Sequence, residues 1–465
     1  MAHNTNASGE YPWPPDVTRI IYDYYFDAPK ILTADHDFHA LCVDGTLFVR
    51  PHGSGVYTYT DIESITSNDL DPGALGTNMR GCVVVKRSGD VFAWGQIEWA
   101  RRRAWGNFDH YAYVAIEQSR ARGAYPTSVY HTPRIFAVLF SNGDQVFWGD
   151  RDKWQPNLGK LDLSKVDTLF ANKSWFAALM KDKTVQTWPA KDAELENQMN
   201  IDSKELDGVV SIYSTLSAFA AVREDGVVVT WGDRYSGGDS SVAKGRLNKV
   251  QHIFTTDGAF AALNGDGTVV TWGQSRFGGD SNDVSKGLQN VVGICATDSA
   301  FAAWGSDGTV VTWGGDTSSS GIVAELSPVL DIKSTERRFG AWTLDNQFVT
   351  WKHPDTDIEF PVQEALGSRH ITQIHSNRRG FAVIADATAF TPYVWSMVEG
   401  LNVDDIGSRP LTRVVSVDEL FLATNDNGDV VTWGGRGFIL NKLTDIINKH
   451  QKSIREAFKS ATGMK

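Results

Sequence analysis

The sequence is short of cysteine, of basic residues relative to acidic ones, and of long apolar runs, and each shortage removes a class of protein. Only three of 465 residues are cysteine, namely Cys42, Cys82 and Cys295. They are odd in number and far apart, so no disulfide scaffold is implied. All three lie in apolar, strand-like runs and read as buried free thiols of a reducing compartment. No run of about 18 apolar residues occurs, so no transmembrane helix is expected. The first residues, Met1-Ala2-His3-Asn4-Thr5-Asn6, have neither a basic n-region nor an apolar h-region. The expectation is therefore no secretory signal and a cytoplasmic chain, in which the sequons Asn6-Ala7-Ser8 and Asn172-Lys173-Ser174 stay silent. The net charge of −12 gives no general footprint for nucleic acid or an anionic membrane.

Catalytic signatures are also missing. There is no Gly-X-Ser-X-Gly, Walker loop, dinucleotide fingerprint or His-Glu-X-X-His. His36 and His39, three apart on a strand, point to opposite faces, and Cys42 alone would not complete a metal site. No catalytic residue, metal or cofactor is assigned, and a non-enzyme is expected.

What is present is repetition. Residues 219–232 read Phe-Ala-Ala-Val-Arg-Glu-Asp-Gly-Val-Val-Val-Thr-Trp-Gly, and 260–273 and 301–314 repeat that phrase almost letter for letter. Trp231, Trp272 and Trp313 are 41 residues apart, and a fixed period of about 40 marks a repeat architecture. Weaker copies follow Phe38, Cys82, Ile135 and Phe176 upstream and Phe339, Phe381 and Phe421 downstream, which makes ten units. In each, two apolar runs short enough to be strands flank an Asp-Gly, Asn-Gly or similar pair that supplies the positive φ of a tight hairpin. A third short apolar run precedes many hairpins, as at Val250–Phe254 and Val291–Cys295. Such a sheet cannot bury both faces alone, so units must stack, and stacking twisted sheets around an axis gives a β-propeller. The Ala-Ala pairs suit the crowded strand near the axis, and the tryptophans suit the space between neighbouring sheets. In one connecting loop, 281–288 is expected to make a single helical turn ended by Gly287.

The pattern Phe-Ala-Ala-Leu-X-X-Asp-Gly-X-Val-X-X-Trp-Gly resembles the regulator-of-chromosome-condensation repeat. The match is strong over 209–316, moderate over 30–208 and 329–434, and absent beyond. The resemblance implies a β-propeller, usually of seven blades, that binds other proteins through loops on one face. Two departures stand out. Ten units exceed seven, so either the ring is larger than the norm, or an open spiral forms, or some degenerate units are insertions. Gly237-Gly238-Asp239-Ser240 and Gly278-Gly279-Asp280-Ser281 replace the family's Asn and Gly-Gln-Leu-Gly. The exchange-factor activity known in the family is not carried over, because no position here matches a motif that would license it.

The segments outside the phrase are the remaining places to seek function. Residues 18–26 read as a strand that either pairs with the last unit to close a ring or docks a partner. The longest insertion contains Trp99, Arg101, Arg102, Arg103 and Trp105. Arginine and tryptophan are enriched at interface hot spots, so this segment is the candidate partner-binding site, against the plain reading of a solvated loop. Residues 441–458 carry Leu443, Ile446, Ile447, His450, Ile454 and Phe458 at helical spacing, with Lys449, Lys452 and Arg455 largely off that stripe. This helix packs on its own protein or on a partner.

The expectation is thus an all-β propeller of three- to four-stranded antiparallel blades plus a C-terminal helix. Residues 1–29 form an N-terminal extension, 30–436 the propeller, and 437–465 the helix and tail. The function expected is non-enzymatic binding of a protein partner. Rival readings are a structural subunit of a large assembly, a guanine-nucleotide exchange factor for a small GTPase, and a glycan-binding propeller.

Overall fold

The computed structural model describes residues 30–34, 37–42, 44–50, 57–67, 81–95, 110–132, 135–149, 161–189, 203–315, 321–323, 326, 328–351, 369–378, 380–385, 393–396, 411–417, 420–425, 430–434, 447–450, 452–453 and 456. The fifth unit shows how sequence becomes structure. Its inner strand Val209–Ser214, middle strand Ala218–Arg223 and outer strand Val228–Gly232 pair antiparallel in that order. The middle strand is buried on both sides, which is why Ala-Phe-Ala-Ala-Val reads as an unbroken apolar run rather than an alternating one. Asp225-Gly226 closes the hairpin with Gly226 at φ 78°, a left-handed conformation that a Cβ disfavours.

Among the described residues the strands form ten separate antiparallel sheets, eight of three strands and two of four. They coincide with the ten repeat units, so ten blades stand where the family resemblance suggests seven. The added fourth strands are Tyr57–Tyr59 in the first blade and Gly321–Val323 in the seventh. Every sheet is one contiguous stretch of chain. Consecutive inner strands touch, or are joined at the fourth-to-fifth junction by Val209 N–H donating to the Lys183 carbonyl at 2.9 Å. The inner strand of the tenth blade, Leu411–Val417, contacts that of the first, Lys30–Ala34, so the succession closes into a ring.

Nine of the ten inner strands carry a bulge between their first and third residues, for example between Val250 and His252. A bulge bends the strand and increases its twist, as a crowded inner edge requires. Between blades the packing is apolar. Ala218, Ala220 and Val222 of the fifth blade meet Phe260, Val270 and Trp272 of the sixth. In seven of the sheets, the third to the eighth and the tenth, the register sets a phenylalanine directly opposite a tryptophan. The Phe260 and Trp272 ring centroids are 5.2 Å apart, and those of Phe301 and Trp313 are 5.3 Å apart. Full burial of each such ring contributes about 1.5–3 kcal/mol, and the pairing adds about 0.5–1.5 kcal/mol.

The connecting segment Asn282–Gly287 is a 3-10 helix, in the place where a single turn was expected. The sequence reading did not foresee the α-helix His110–Ala121, which follows the arginine-tryptophan insertion. It buries Ile116 against Val83, Val85 and Phe140, and Ser119 Oγ donates to Asp144 Oδ2 at 2.6 Å. Gly123, at φ 79°, ends it. Its apolar stripe is too weak to announce a helix within an all-β pattern. The strand expected at 18–26 lies outside the described residues. No described helix is long and apolar enough to cross a membrane.

Candidate functional site

Each blade has two ends. At one, the hairpin turn joins the middle and outer strands. At the other, the inner strand turns into the middle strand and the outer strand hands over to the connecting loop.

The hairpin end is explained by local geometry. Asp266 Oδ1 accepts from Thr268 N–H at 3.0 Å and Thr268 Oγ at 2.6 Å, and these bonds hold its carboxyl below the usual carboxylate range. Asp182 and Asp307 are lowered by equivalent bonds to Thr184 and Thr309. Gly267, at φ 79°, presents its carbonyl to Val291 N–H of the next blade at 2.9 Å. These aspartates build turns, and their oxygens are already engaged.

The other end, the turn face, is built more unusually. In seven consecutive blades a buried Thr or Asn accepts a hydrogen bond from the backbone N–H three residues on. Thr132, Asn172, Thr215, Thr256, Thr297, Thr335 and Asn377 bond in this way to Ile135, Trp175, Ala218, Ala259, Ala300, Arg338 and Gly380, at 2.9–3.2 Å. Such a side-chain bond fixes the turn. The residue after each cap from the fourth blade to the ninth, namely Lys173, Leu216, Asp257, Asp298, Glu336 and Arg378, then bonds to its neighbour through the main chain. Lys173 N–H donates to Leu216 O, Leu216 to Asp257, Asp257 to Asp298, Asp298 to Glu336, and Glu336 to Arg378, at 2.8–3.1 Å. A continuous belt of backbone bonds therefore spans six blades, and its side chains run basic, apolar, acidic, acidic, acidic, basic.

The belt's carboxylates differ from those of the hairpins. Partial burial, with Asp257 and then Glu336 alongside, pushes the Asp298 carboxyl up to about 6, against the opposing pull of Arg378 and Arg337. Asp257 is raised by burial and Glu336 in the same way. Arg378 Nε donates to Glu336 Oε2 at 3.1 Å, so the arc is neutralised at one end only.

The connecting loops complete this face. Asp233 N–H donates to Ser217 O at 2.9 Å, and Thr215 Oγ donates to Ser236 O at 3.1 Å, which seats residues 233–236 beside the fifth blade's turn. Gln274 and Phe277 take the same places in the sixth. Tyr235 projects from this loop at 73% exposure, and Arg276 lies over the Phe277 ring at 4.7 Å. The two Gly-Gly-Asp-Ser phrases then pass between blades. Gly237 O accepts from Trp272 Nε1, and Gly278 O from Trp313 Nε1, each at 3.0 Å. A Cβ on Gly237 would sit 2.5 Å from the Phe260 ring, which accounts for the glycine.

Trp99, Arg101, Arg102, Arg103 and Trp105 lie outside the described residues, as does His36. The chain that leads to that insertion is described. The outer strand Val91–Gly95 pairs Gly95 with Gly81, as Gly232 pairs with Ala218, so it ends at the turn face. Asn172 of the second sequon is fully buried, with its amide oxygen and nitrogen both in hydrogen bonds. Cys295 is a half-buried thiol that burial pushes up. Among the described residues no group of three His, Cys, Asp or Glu is placed to hold a metal ion. The sequence reading missed the belt. Its signal is the Thr or Asn that recurs three or four residues before the middle strand in the third to ninth blades.

No family model matches the sequence, and no curated protein matches it. Solved structures with similar folds include Prp20p from Saccharomyces cerevisiae, at 12% identity over 93% of this chain and 98% of that one, with a TM-score of 0.32. Human WBSCR16 is 13% identical over 65% of this chain and 87% of its own, with a TM-score of 0.32. The CRINKLY WD40 ectodomain of the Arabidopsis thaliana receptor kinase ACR4 is 12% identical over 59% and 96%, with a TM-score of 0.28.

Proposed function

We propose that this chain is a non-enzymatic propeller of the regulator-of-chromosome-condensation type that binds a protein partner on its turn face. The supporting observation is the contrast along the belt. Six consecutive turns share one main-chain hydrogen-bond pattern, yet the side chain displayed at the same position changes from Lys173 through Leu216 to Asp257, Asp298, Glu336 and Arg378. A repeated scaffold with a varied display is what a specific protein surface needs, and its rigidity lowers the entropy lost on binding. Packing alone does not call for this variation.

The arginine-tryptophan insertion, with Trp99, Arg101, Arg102, Arg103 and Trp105, is the proposed anchor. It follows an outer strand that ends on the turn face, and Tyr235 and Arg276 belong to loops of that same face. The cytoplasm is the proposed setting, in keeping with three cysteines that are odd in number and far apart in sequence. The test is site-specific photocrosslinking in cells. A crosslinking residue at Tyr235 or Arg337, both on the turn face, should capture a discrete partner that one at Val227, on the hairpin side, does not. Equal capture from both ends, or none from the turn face, rejects the reading.

A further inference from the structure

The ring has one junction unlike the others. From the first blade to the tenth, each blade continues covalently into the next. The tenth and the first share no such connection, and among the described residues neither lends a strand to the other's sheet. Their inner strands touch, with no covalent link between them to keep the contact in place.

The C-terminal segment is in the place to do so. It follows the tenth blade's outer strand, Val430–Gly434, and residues 447–450 are helical. Two contacts of its described residues lie on the first blade. His450 Nε2 is 3.0 Å from Asp44 Oδ2, across 406 residues of sequence. The His450 ring meets Phe48 edge-on, with centroids 5.2 Å apart. Ile447, one turn earlier on the same stripe, is fully buried, whereas Lys449, Lys452, Ser453 and Glu456 are exposed. The seat is itself rigid. Asp44 accepts from Thr46 N–H and Oγ at 2.9 and 3.0 Å, and Gly45 O accepts from Ile62 N–H of the second blade at 2.9 Å.

We propose that this helical segment is a clasp, tethered to the tenth blade and seated on the first, and that the ring opens at this seam before any other junction gives way. A covalently continuous junction keeps its two blades at high effective concentration after its contacts break. At the seam, among the described residues, the clasp is what does this, being joined in sequence to the tenth blade.

Hydrogen exchange on the full chain tests the clasp. With Ile447→Asp, amides of Lys30–Ala34, Asp37–Leu41, Leu411–Val417 and Leu420–Asn425 should exchange about tenfold faster or more, while Ala218–Arg223 and Ala259–Asn264 keep their wild-type protection. Uniform acceleration across all blades, or none at the seam, overturns the proposal. His450→Ala, Asp44→Asn and their double variant give a second test that does not depend on burying a charge. The seam-specific increases in exchange should be non-additive. Strict additivity overturns the role of this contact.

Discussion

The backbone N–H of Asp257 donates to the carbonyl of Asp298 at 2.9 Å, so two neighbouring blades are joined at the same point where their two carboxylates are brought together. Main-chain attraction and side-chain repulsion meet at one place. The frame holds the carboxylates close although they disfavour each other when ionised.

That conflict gives a pH dependence with a definite sign. The folded protein holds the Asp298 proton more tightly than the unfolded chain does, since the group rises from 3.8 to about 6 on folding. Its contribution to stability is therefore full below about pH 4 and is lost as the pH rises through about 6. Asp298→Asn removes this loss. Relative to wild type, the variant should gain on the order of 1 kcal/mol between pH 4 and pH 7, after discounting for solvent screening at a half-buried site. Denaturant titrations at the two pH values check it, and an unchanged difference refutes it.

Gly237→Ala should be strongly destabilising. The new methyl would lie 2.5 Å from Phe260, at a backbone φ of 99°. The expected loss is about 2 kcal/mol or more. Gly245→Ala is a control, because a Cβ there meets nothing within 4 Å although φ is also positive, at 82°. It should lose only about 1 kcal/mol. Equal losses at the two sites would show that contact with Phe260 is unimportant.

Two tryptophans in equivalent positions should respond differently to replacement by phenylalanine. Trp272 Nε1 donates to Gly237 O, whereas Trp351 Nε1 is buried with no hydrogen-bond partner among the described residues. Trp272→Phe leaves a carbonyl without its donor, and Trp351→Phe removes a donor that has no partner among the described residues. The first should cost about 1 kcal/mol more than the second, as read from chemical denaturation of both variants. Similar losses would show that the Trp272 bond contributes little.

For the arginine-tryptophan insertion, the triple variant Arg101→Ala, Arg102→Ala, Arg103→Ala should weaken capture of the crosslinked partner by about tenfold or more, with the melting temperature within about 1 °C of wild type. A lowered melting temperature with capture retained would make the segment structural.

The count of ten repeat units and the strand order within each were legible because their causes are local, whereas the sequence leaves open whether all ten are blades of one ring. Alternation, turn glycines and the Phe–Trp pairing all lie within one 40-residue unit, so Phe260 and Trp272 declare their partnership in the sequence. Relationships between units were less so. The Gly-Gly-Asp-Ser phrase looks like a mere departure from a family until Gly237 is seen to meet Trp272 of the next blade. The belt was invisible for the same reason, since Asp257 and Asp298 become neighbours only when their blades stack. The helix His110–Ala121 was obscured because much of what holds it comes from other elements, as Asp144 does in bonding to Ser119.

Each blade being a single uninterrupted stretch of chain bears on biosynthesis. During translation a completed blade can pack on the one before it as soon as it leaves the ribosome, so nine of the ten junctions form in order. The first blade, made earliest, waits longest for its second neighbour. Throughout synthesis one apolar flank faces solvent unprotected, and nascent-chain chaperones should be found there until the tenth blade emerges.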